Sequence, residues 1–130
     1  MSRTIFNDVI TLYIKNGSSY FRRVIKNVNF SYSEKFLENS SGELIVPIYY
    51  RRDVKYLPRE LFKEYSHSKR YFTINVGDML VLGDCDKDTP PENAFTVVSI
   101  SENTVGSHRM HHVTAGCKKI IYKEAENEYT

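Results

Sequence analysis

Two apolar runs separated by an Asn-Gly pair constrain the fold of this chain more than any other feature. Residues 9–14 and 20–30 are rich in apolar side chains, and Asn16-Gly17 lies between them. Asn-Gly readily adopts the positive φ angles that tight hairpin turns need. The sequence therefore predicts an antiparallel hairpin in this region and a fold dominated by sheet.

The composition also favours sheet. Ten Tyr and seven Phe occur among 130 residues, and aromatic side chains suit pleated, half-buried surfaces. A chain of this length is long enough to bury one compact core. We therefore expect a single β-rich domain over residues 1–130, with a flexible C-terminal tail at residues 124–130. The net charge is only +2, whereas a protein that coats nucleic acid is usually strongly basic.

The remaining segments add further strands and a short helix. Residues 43–50 are strongly β-prone, but Pro47 lacks a backbone donor and indicates an edge strand or a bulge. Pro58 is suited to start a helix of about two turns. Within residues 71–83, apolar and polar residues alternate on either side of Gly77-Asp78, which predicts a second hairpin. We predict a mainly β fold, a small β-barrel or sandwich of about six or seven antiparallel strands with one short helix and long loops.

The start of the chain and its cysteines suggest an intracellular protein. Residues 1–8 lack the apolar core of a secretory signal, and no apolar run reaches the roughly eighteen residues of a spanning helix. We expect no membrane association. Cys85 and Cys117 are the two cysteines, and we expect both to be reduced.

We predict no catalytic residue, no cofactor and no metal. His108, His111 and His112 lie near Cys117, but their spacing matches no zinc finger or ribbon. In an extended strand the side chains of His111 and His112 would also point to opposite faces, which argues against their binding the same metal ion. Metal binding therefore remains the weaker interpretation of this cluster.

Nucleophilic and calcium chemistry are weaker still. Cys117 begins an apolar strand, where a cysteine is more often a small buried hydrophobe than a nucleophile. Asp84, Asp86 and Asp88 alternate as in a calcium loop, but the glycine and the final Glu of that loop are missing. These carboxylates are better explained as a solvated acidic loop.

Basic residues interleaved with aromatic ones suggest a different possibility. Such patterns occur in single-strand nucleic-acid grooves, where cations hold phosphates and aromatic rings stack on bases. Arginine beside tyrosine is also common in protein interfaces. The basic residues that are candidates for contact with nucleic acid are Arg22, Arg23, Lys26, Lys55, Lys69 and Arg70. An OB-like single-strand-binding module is therefore one alternative function.

Six segments in order resemble a family of small, uncharacterised structural proteins of tailed phages and Firmicute prophages. The segments are DVITLYIK, YFRRVIKNVNF, IVPIYY, YLP, FTINVGDMLVLG and FTVVSISENTVGSHRMHHVTAG. Each is short and unspecific alone, and the resemblance comes from their order over most of the chain. Members of that family are similar in size and setting to head-to-tail connector proteins, and head-closure (stopper) proteins are the closest type.

The resemblance implies a non-enzymatic virion component of the neck, assembled in the cytoplasm of the host bacterium. Such a subunit would form a homo-oligomeric ring, bind a portal or adaptor ring above and tail proteins below, and touch DNA non-specifically in its lumen. A tail-completion or tail-tube-associated protein is the nearest variant. The strand at residues 43–50 and polar loops such as residues 51–70 would then reach neighbouring subunits.

The predicted interface residues come from two places. One group follows the strand marked by Pro47, where large aromatic residues and arginines are typical interface anchors. The other lies in the segment that most resembles the phage family. The interface candidates are Tyr49, Tyr50, Arg51, Arg52, His108, Arg109, Met110 and His111.

Overall fold

The structure is a computed structural model that describes residues 7–33, 40–49, 51–104, 106 and 111–119. The predicted tail at residues 124–130 lies outside these ranges. Within them the chain forms eight strands and one helix. They are β1 (Asp8–Asn16), β2 (Ser19–Ser33), β3 (Ser40–Pro47), β4 (Lys55–Tyr56), α1 (Arg59–Tyr65), β5 (Tyr71–Phe72), β6 (Met79–Leu82), β7 (Phe95–Asn103) and β8 (His112–Lys119).

Six of these strands close into an antiparallel barrel. Their order is β1-β2-β3-β8-β7-β6, and β6 pairs back onto β1 through Ile10 to Tyr13. Closure pairs both sides of the strands, which removes the free edges that an open sheet exposes. The prediction of a small, mainly β barrel with one short helix is confirmed.

The Asn-Gly hairpin forms where the sequence predicted it. Strands β1 and β2 pair in register from Ile10↔Ile25 to Asn16↔Ser19. Gly17 has a φ of 62°, a conformation that glycine adopts without the steric cost of a Cβ atom. Further along β2 the register shifts, and Asn27 has a φ of 59° at that bulge.

Strand β1 is buried on both faces. Ile10, Leu12 and Ile14 point into the main core, as alternation along a strand requires. On the opposite face, residues 83–94 cover the strand: Thr11 Oγ1 donates a hydrogen bond to the Gly83 carbonyl at 2.7 Å, and Tyr13 Oη donates to the Lys87 carbonyl at 2.9 Å. The predicted acidic loop is therefore packed against the barrel along its backbone.

Residues 51–72 form a cap on one end of the barrel. Strands β4 and β5 pair in parallel through Lys55↔Tyr71 and Tyr56↔Phe72, and α1 lies between them in sequence. Val54, Phe62 and Phe72 join the main core. The prediction of a long polar loop at residues 51–70 was wrong, because these apolar side chains are buried against the core at the capped end of the barrel. The helix predicted after Pro58 is confirmed.

Two strand predictions also need correction. Strand β3 is an interior strand, paired with β2 on one side and β8 on the other, so it offers no edge to a neighbouring subunit. Pro47 is tolerated because it is the last residue of the strand. Residues 71–83 do not form a hairpin, since β5 pairs with β4 whereas β6 pairs with β1 and β7.

Candidate functional site

Arg23, a predicted nucleic-acid contact, lies inside the protein. Its residue is only 6% exposed, and its guanidinium donates to the backbone carbonyls of Tyr71 at 2.7 Å, Ser66 at 2.9 Å and Ser68 at 3.1 Å. Burial lowers the pKa of Arg23. Because its donors are engaged in the cap, this side chain is not available to a phosphate, and we remove it from the predicted contacts.

Arg51, a predicted interface residue, is also buried, at 9% exposed. Its Nε donates to the Val54 carbonyl at 2.9 Å, and its Nη2 donates to the Lys26 carbonyl at the bulge of β2. Asp53 forms an ion pair with it at 3.2 Å. Burial lowers the pKa of Arg51, and Asp53 partly opposes that effect. Arg51 therefore fixes the cap to β2, and we remove it from the predicted interface.

The aromatic side chains beside these arginines have packing roles as well. Phe21 meets Phe62 with ring centroids 5.8 Å apart, and Tyr56 meets Phe72 at 5.7 Å. A stacking platform for bases needs exposed ring faces. The alternation of basic and aromatic residues is thus explained in large part by attachment of the cap.

The other predicted basic contacts lie on the surface. Lys26, Lys55, Lys69 and Arg70 are exposed, and so is the interface candidate Arg52. Arg22 is half-buried and donates to the Cys85 carbonyl and to Asp84, the latter at 3.1 Å. Pairing of β4 with β5 brings the backbones of Lys55 and Arg70 together, with a hydrogen bond of 2.7 Å.

Two of the remaining interface candidates meet in the structure. The rings of Tyr49 and His111 lie 5.4 Å apart, close to the end of β3, where the Ile48 N–H donates to the His111 carbonyl at 3.1 Å. Tyr49 is 42% exposed. The other candidates, Tyr50, His108, Arg109 and Met110, lie outside the described residues.

The cysteines do not form a reactive pair. Both thiols are free. Cys117 is 2% exposed, and burial raises its pKa to about 12, as expected of a small buried hydrophobe. A hydrogen bond with the Tyr13 hydroxyl lowers the pKa of the Cys85 thiol. Across the described part of the chain, no three His, Cys, Asp or Glu side chains are grouped closely enough to hold a metal ion.

Large apolar side chains are exposed at opposite ends of the barrel. On α1, Leu61 and Tyr65 are 47% and 49% exposed and lie one helical turn apart; we call this pair the helix-end patch. Tyr32 and Leu82 are 48% and 53% exposed and line one shallow depression of about 110 Å³; we call this pair the open-end patch.

Strand β2 shows that the two patches are far apart. Phe21, near its start, contacts Phe62 of α1, whereas Tyr32 lies near its end. At about 3.3 Å per residue, the intervening strand is roughly 30 Å long. A partner at one patch would therefore leave the other patch free for a second partner.

Neither patch was predicted from the sequence. Leu61, Phe62 and Tyr65 are the large apolar residues of α1, and only Phe62 of these is buried. A helix of seven residues presents few positions to the core, so spacing alone does not tell which apolar residue is inside. Tyr32 lies near the end of β2, and its alternation with Phe30 is a usable strand signal.

These features define a class of protein: a small, closed antiparallel β-barrel with a helical cap. No described helix is long and apolar enough to cross a bilayer. The chain belongs to a family of unknown function, DUF6751, whose model matches residues 4–118. No curated protein and no solved structure matches the chain significantly.

Proposed function

We propose that this protein is a structural subunit of a tailed-phage or prophage particle, a head-closure type connector that forms a ring at the head-to-tail junction. The resemblance of six ordered sequence segments suggests the setting. The observation that carries the proposal is the pair of apolar patches at opposite ends of the barrel, Leu61 with Tyr65 and Tyr32 with Leu82.

Two unlike patches suit a subunit held between different neighbours. A ring built from head-to-tail contacts uses two different surfaces of each copy, and a subunit stacked between an upper and a lower ring likewise needs two distinct faces. Exposed apolar clusters are typical of surfaces that a partner covers. Side-chain packing would therefore hold the ring, in place of the strand addition that a closed barrel with β3 in its interior does not offer.

The single-strand-binding alternative loses support from the positions of two arginines. Arg23 and Arg51 are buried and bonded to backbone carbonyls, so these two arginines of the basic and aromatic pattern are internal. The exposed cations that remain, such as Lys26 and Lys55, fit looser contact with DNA in a channel. A conduit needs few tight phosphate contacts, because each one adds affinity that would slow passage.

Complementation of a phage or prophage that lacks this gene tests the proposal. The wild-type chain should restore tailed particles. We expect Leu61→Glu with Tyr65→Glu, and separately Tyr32→Glu with Leu82→Glu, to give DNA-filled heads without tails. Val98→Glu is the matched control, because Val98 is also exposed, at 45%, and lies in neither patch.

Electron microscopy of the lysates provides the measurement. Circular dichroism of each purified variant should show an intact fold, since exposed substitutions usually change stability by less than about 0.5 kcal/mol. Normal yields of tailed particles with both patch variants would contradict the proposal. Defects confined to tail completion would instead favour the tail-completion variant of it.

A further inference from the structure

A pocket of about 380 Å³ opens at the capped end of the barrel, between the β1–β2 turn and α1. Lys15 contributes to its rim from β1, and Arg59 and Lys63 contribute from α1. All three residues are exposed. We call this cavity the helix-end pocket. Its three cations come from segments distant in sequence and meet only because the cap folds onto the barrel.

The charges around the helix-end pocket are only partly balanced: burial raises the pKa of the neighbouring Asp78, and the charges of Arg59 and Lys15 oppose that effect. None of its lining residues is acidic, and none of its three cations forms an ion pair within 4.0 Å with a carboxylate in the described ranges. The neighbouring carboxylate of Asp78 is 2% exposed. It accepts hydrogen bonds from the backbone N–H groups of Lys15 at 2.9 Å and Asn75 at 2.8 Å, and Asp78 is not one of the residues that line the pocket.

Two cations of the helix-end pocket lie on one face of α1, with Glu60 in the first turn of the same helix. Arg59 and Lys63 are four residues apart and lie on the same face, where like charges destabilise a helix. The buried side chain that attaches α1 to the core is Phe62, and neither cation is needed for that contact. An anion between the two side chains would remove the repulsion.

The lining also offers neutral hydrogen-bond donors. Asn16 and Ser66 line the helix-end pocket and carry a side-chain amide and a hydroxyl. The Ser66 hydroxyl donates to the Lys63 carbonyl at 3.5 Å, and the Thr73 hydroxyl is buried from solvent. Phe21 provides an apolar wall. Arginine binds phosphate oxygens through a planar fork of donors, and lysine binds them as a mobile point charge. Three cations with an amide donor match the oxygens of a phosphate better than a single carboxylate.

We propose that the helix-end pocket binds a phosphate group, presented either by a nucleic-acid backbone or by a small phosphate ester. The inference stands apart from the proposed particle role, because it rests on the cavity and its cations and not on the apolar patches. Either proposal can fail while the other holds.

The test is a titration of the full chain with inorganic phosphate, followed by nuclear magnetic resonance. The control is sodium chloride at equal ionic strength. Amide resonances of Asn16, Gly17 and Asn75 should shift with phosphate and not with chloride. Competition with a short DNA duplex and, separately, with glycerol phosphate distinguishes the two sources of the phosphate group.

Charge reversal locates the binding. The double variant Arg59→Glu with Lys63→Glu should weaken phosphate binding by about tenfold or more. It removes two donors of charge-assisted hydrogen bonds, which are stronger than neutral ones, and a tenfold change in Kd requires only a small change in binding free energy. Lys87→Glu with Lys118→Glu makes the same change in net charge at exposed positions outside the pocket, and should leave binding nearly unchanged. If the reversed pair fails to fold, Arg59→Gln with Lys63→Gln replaces it.

Each outcome decides the proposal. Binding that the pocket variant loses and the control retains supports it, and displacement by DNA or by glycerol phosphate identifies the source. Equal weakening by both variants would show non-specific attraction to a basic surface and would overturn it. The absence of phosphate-specific shifts at millimolar concentration would overturn it as well.

Discussion

Arg23 Nε donates a hydrogen bond of 2.7 Å to the Tyr71 carbonyl, a partner 48 residues away in the sequence. The same guanidinium bonds to Ser66 at the end of α1, where a cation also favours the helix dipole. A side chain that looked like a surface contact for DNA is thus one of the main connections between barrel and cap.

Arg23→Met should destabilise the protein strongly. The substitution leaves the carbonyls of Tyr71, Ser66 and Ser68 without this donor, and unsatisfied buried groups cost about 1–3 kcal/mol each before relaxation. We expect a loss of roughly 2–4 kcal/mol in the free energy of unfolding, measured by urea denaturation. The matched control is Lys69→Met, at an exposed position of the cap segment. Equal stabilities of the two variants would show that Arg23 does not hold the cap.

Two glycines of neighbouring barrel strands should respond differently to alanine. A Cβ atom at Gly42 would lie 2.9 Å from Tyr32 Cβ and 3.0 Å from the Ser31 carbonyl, and neither atom can move without the strand. At Gly116 the Cβ would meet Ser99 Oγ at 2.4 Å, but Ser99 is exposed and its hydroxyl can rotate away.

Gly42→Ala should therefore cost about 1–3 kcal/mol through overpacking, and Gly116→Ala should cost clearly less. Thermal unfolding of both variants measures the difference. Ser99→Ala removes the only close atom at Gly116 and should abolish what cost remains there. A larger cost at Gly116 than at Gly42 would contradict the strand packing described above.

Because Cys117 is buried, the free energy of unfolding should decrease as the pH becomes alkaline. The pKa of this thiol is raised from 9.0 to about 12 in the folded state, so above pH 9 the unfolded chain loses its proton first. The contribution of Cys117 to stability is complete below pH 9 and declines as the pH rises towards 12. Urea unfolding from pH 8 to pH 11 should show this decline, and Cys117→Ala should make it shallower. An identical pH profile in the variant would refute the assignment.

The two thiols should also differ in reactivity. Cys85 is half-buried at the surface with a lowered pKa, and thiolates are the reactive form. In the folded protein, a thiol-specific reagent at neutral pH should modify Cys85 rapidly and Cys117 only on unfolding. Mass spectrometry identifies the modified residue. Equal rates at both positions would mean that β8 opens readily.

Local signals in the sequence were sufficient for the parts of the fold that form locally. The turn at Asn16-Gly17 and the helix after Pro58 each depend on the conformational preferences of adjacent residues, and both predictions hold. The role of Arg51 depends on the bulge of β2 at Asn27, which brings the Lys26 carbonyl within its reach. The pattern of neighbouring residues in the sequence does not predict this contact between Arg51 and the Lys26 carbonyl.

The candidate site was predicted less well for the same reason. Phe21, Arg23 and Ile25 alternate along β2, and strand periodicity alone would have placed Arg23 on the inward face. The hypothesis that Arg23 contacts nucleic acid rests on its charge and not on its position in the strand. The helix-end patch and the helix-end pocket depend on which face of α1 meets the barrel, and one buried residue, Phe62, determines that choice.

Cryo-electron microscopy of particles from the phage or prophage that encodes this chain would test directly the proposal that it forms a ring between head and tail. We expect a ring of capped β-barrels below the portal, with Leu61 and Tyr65 covered at one end and Tyr32 and Leu82 covered at the other. Intact particles without density for this barrel would contradict it.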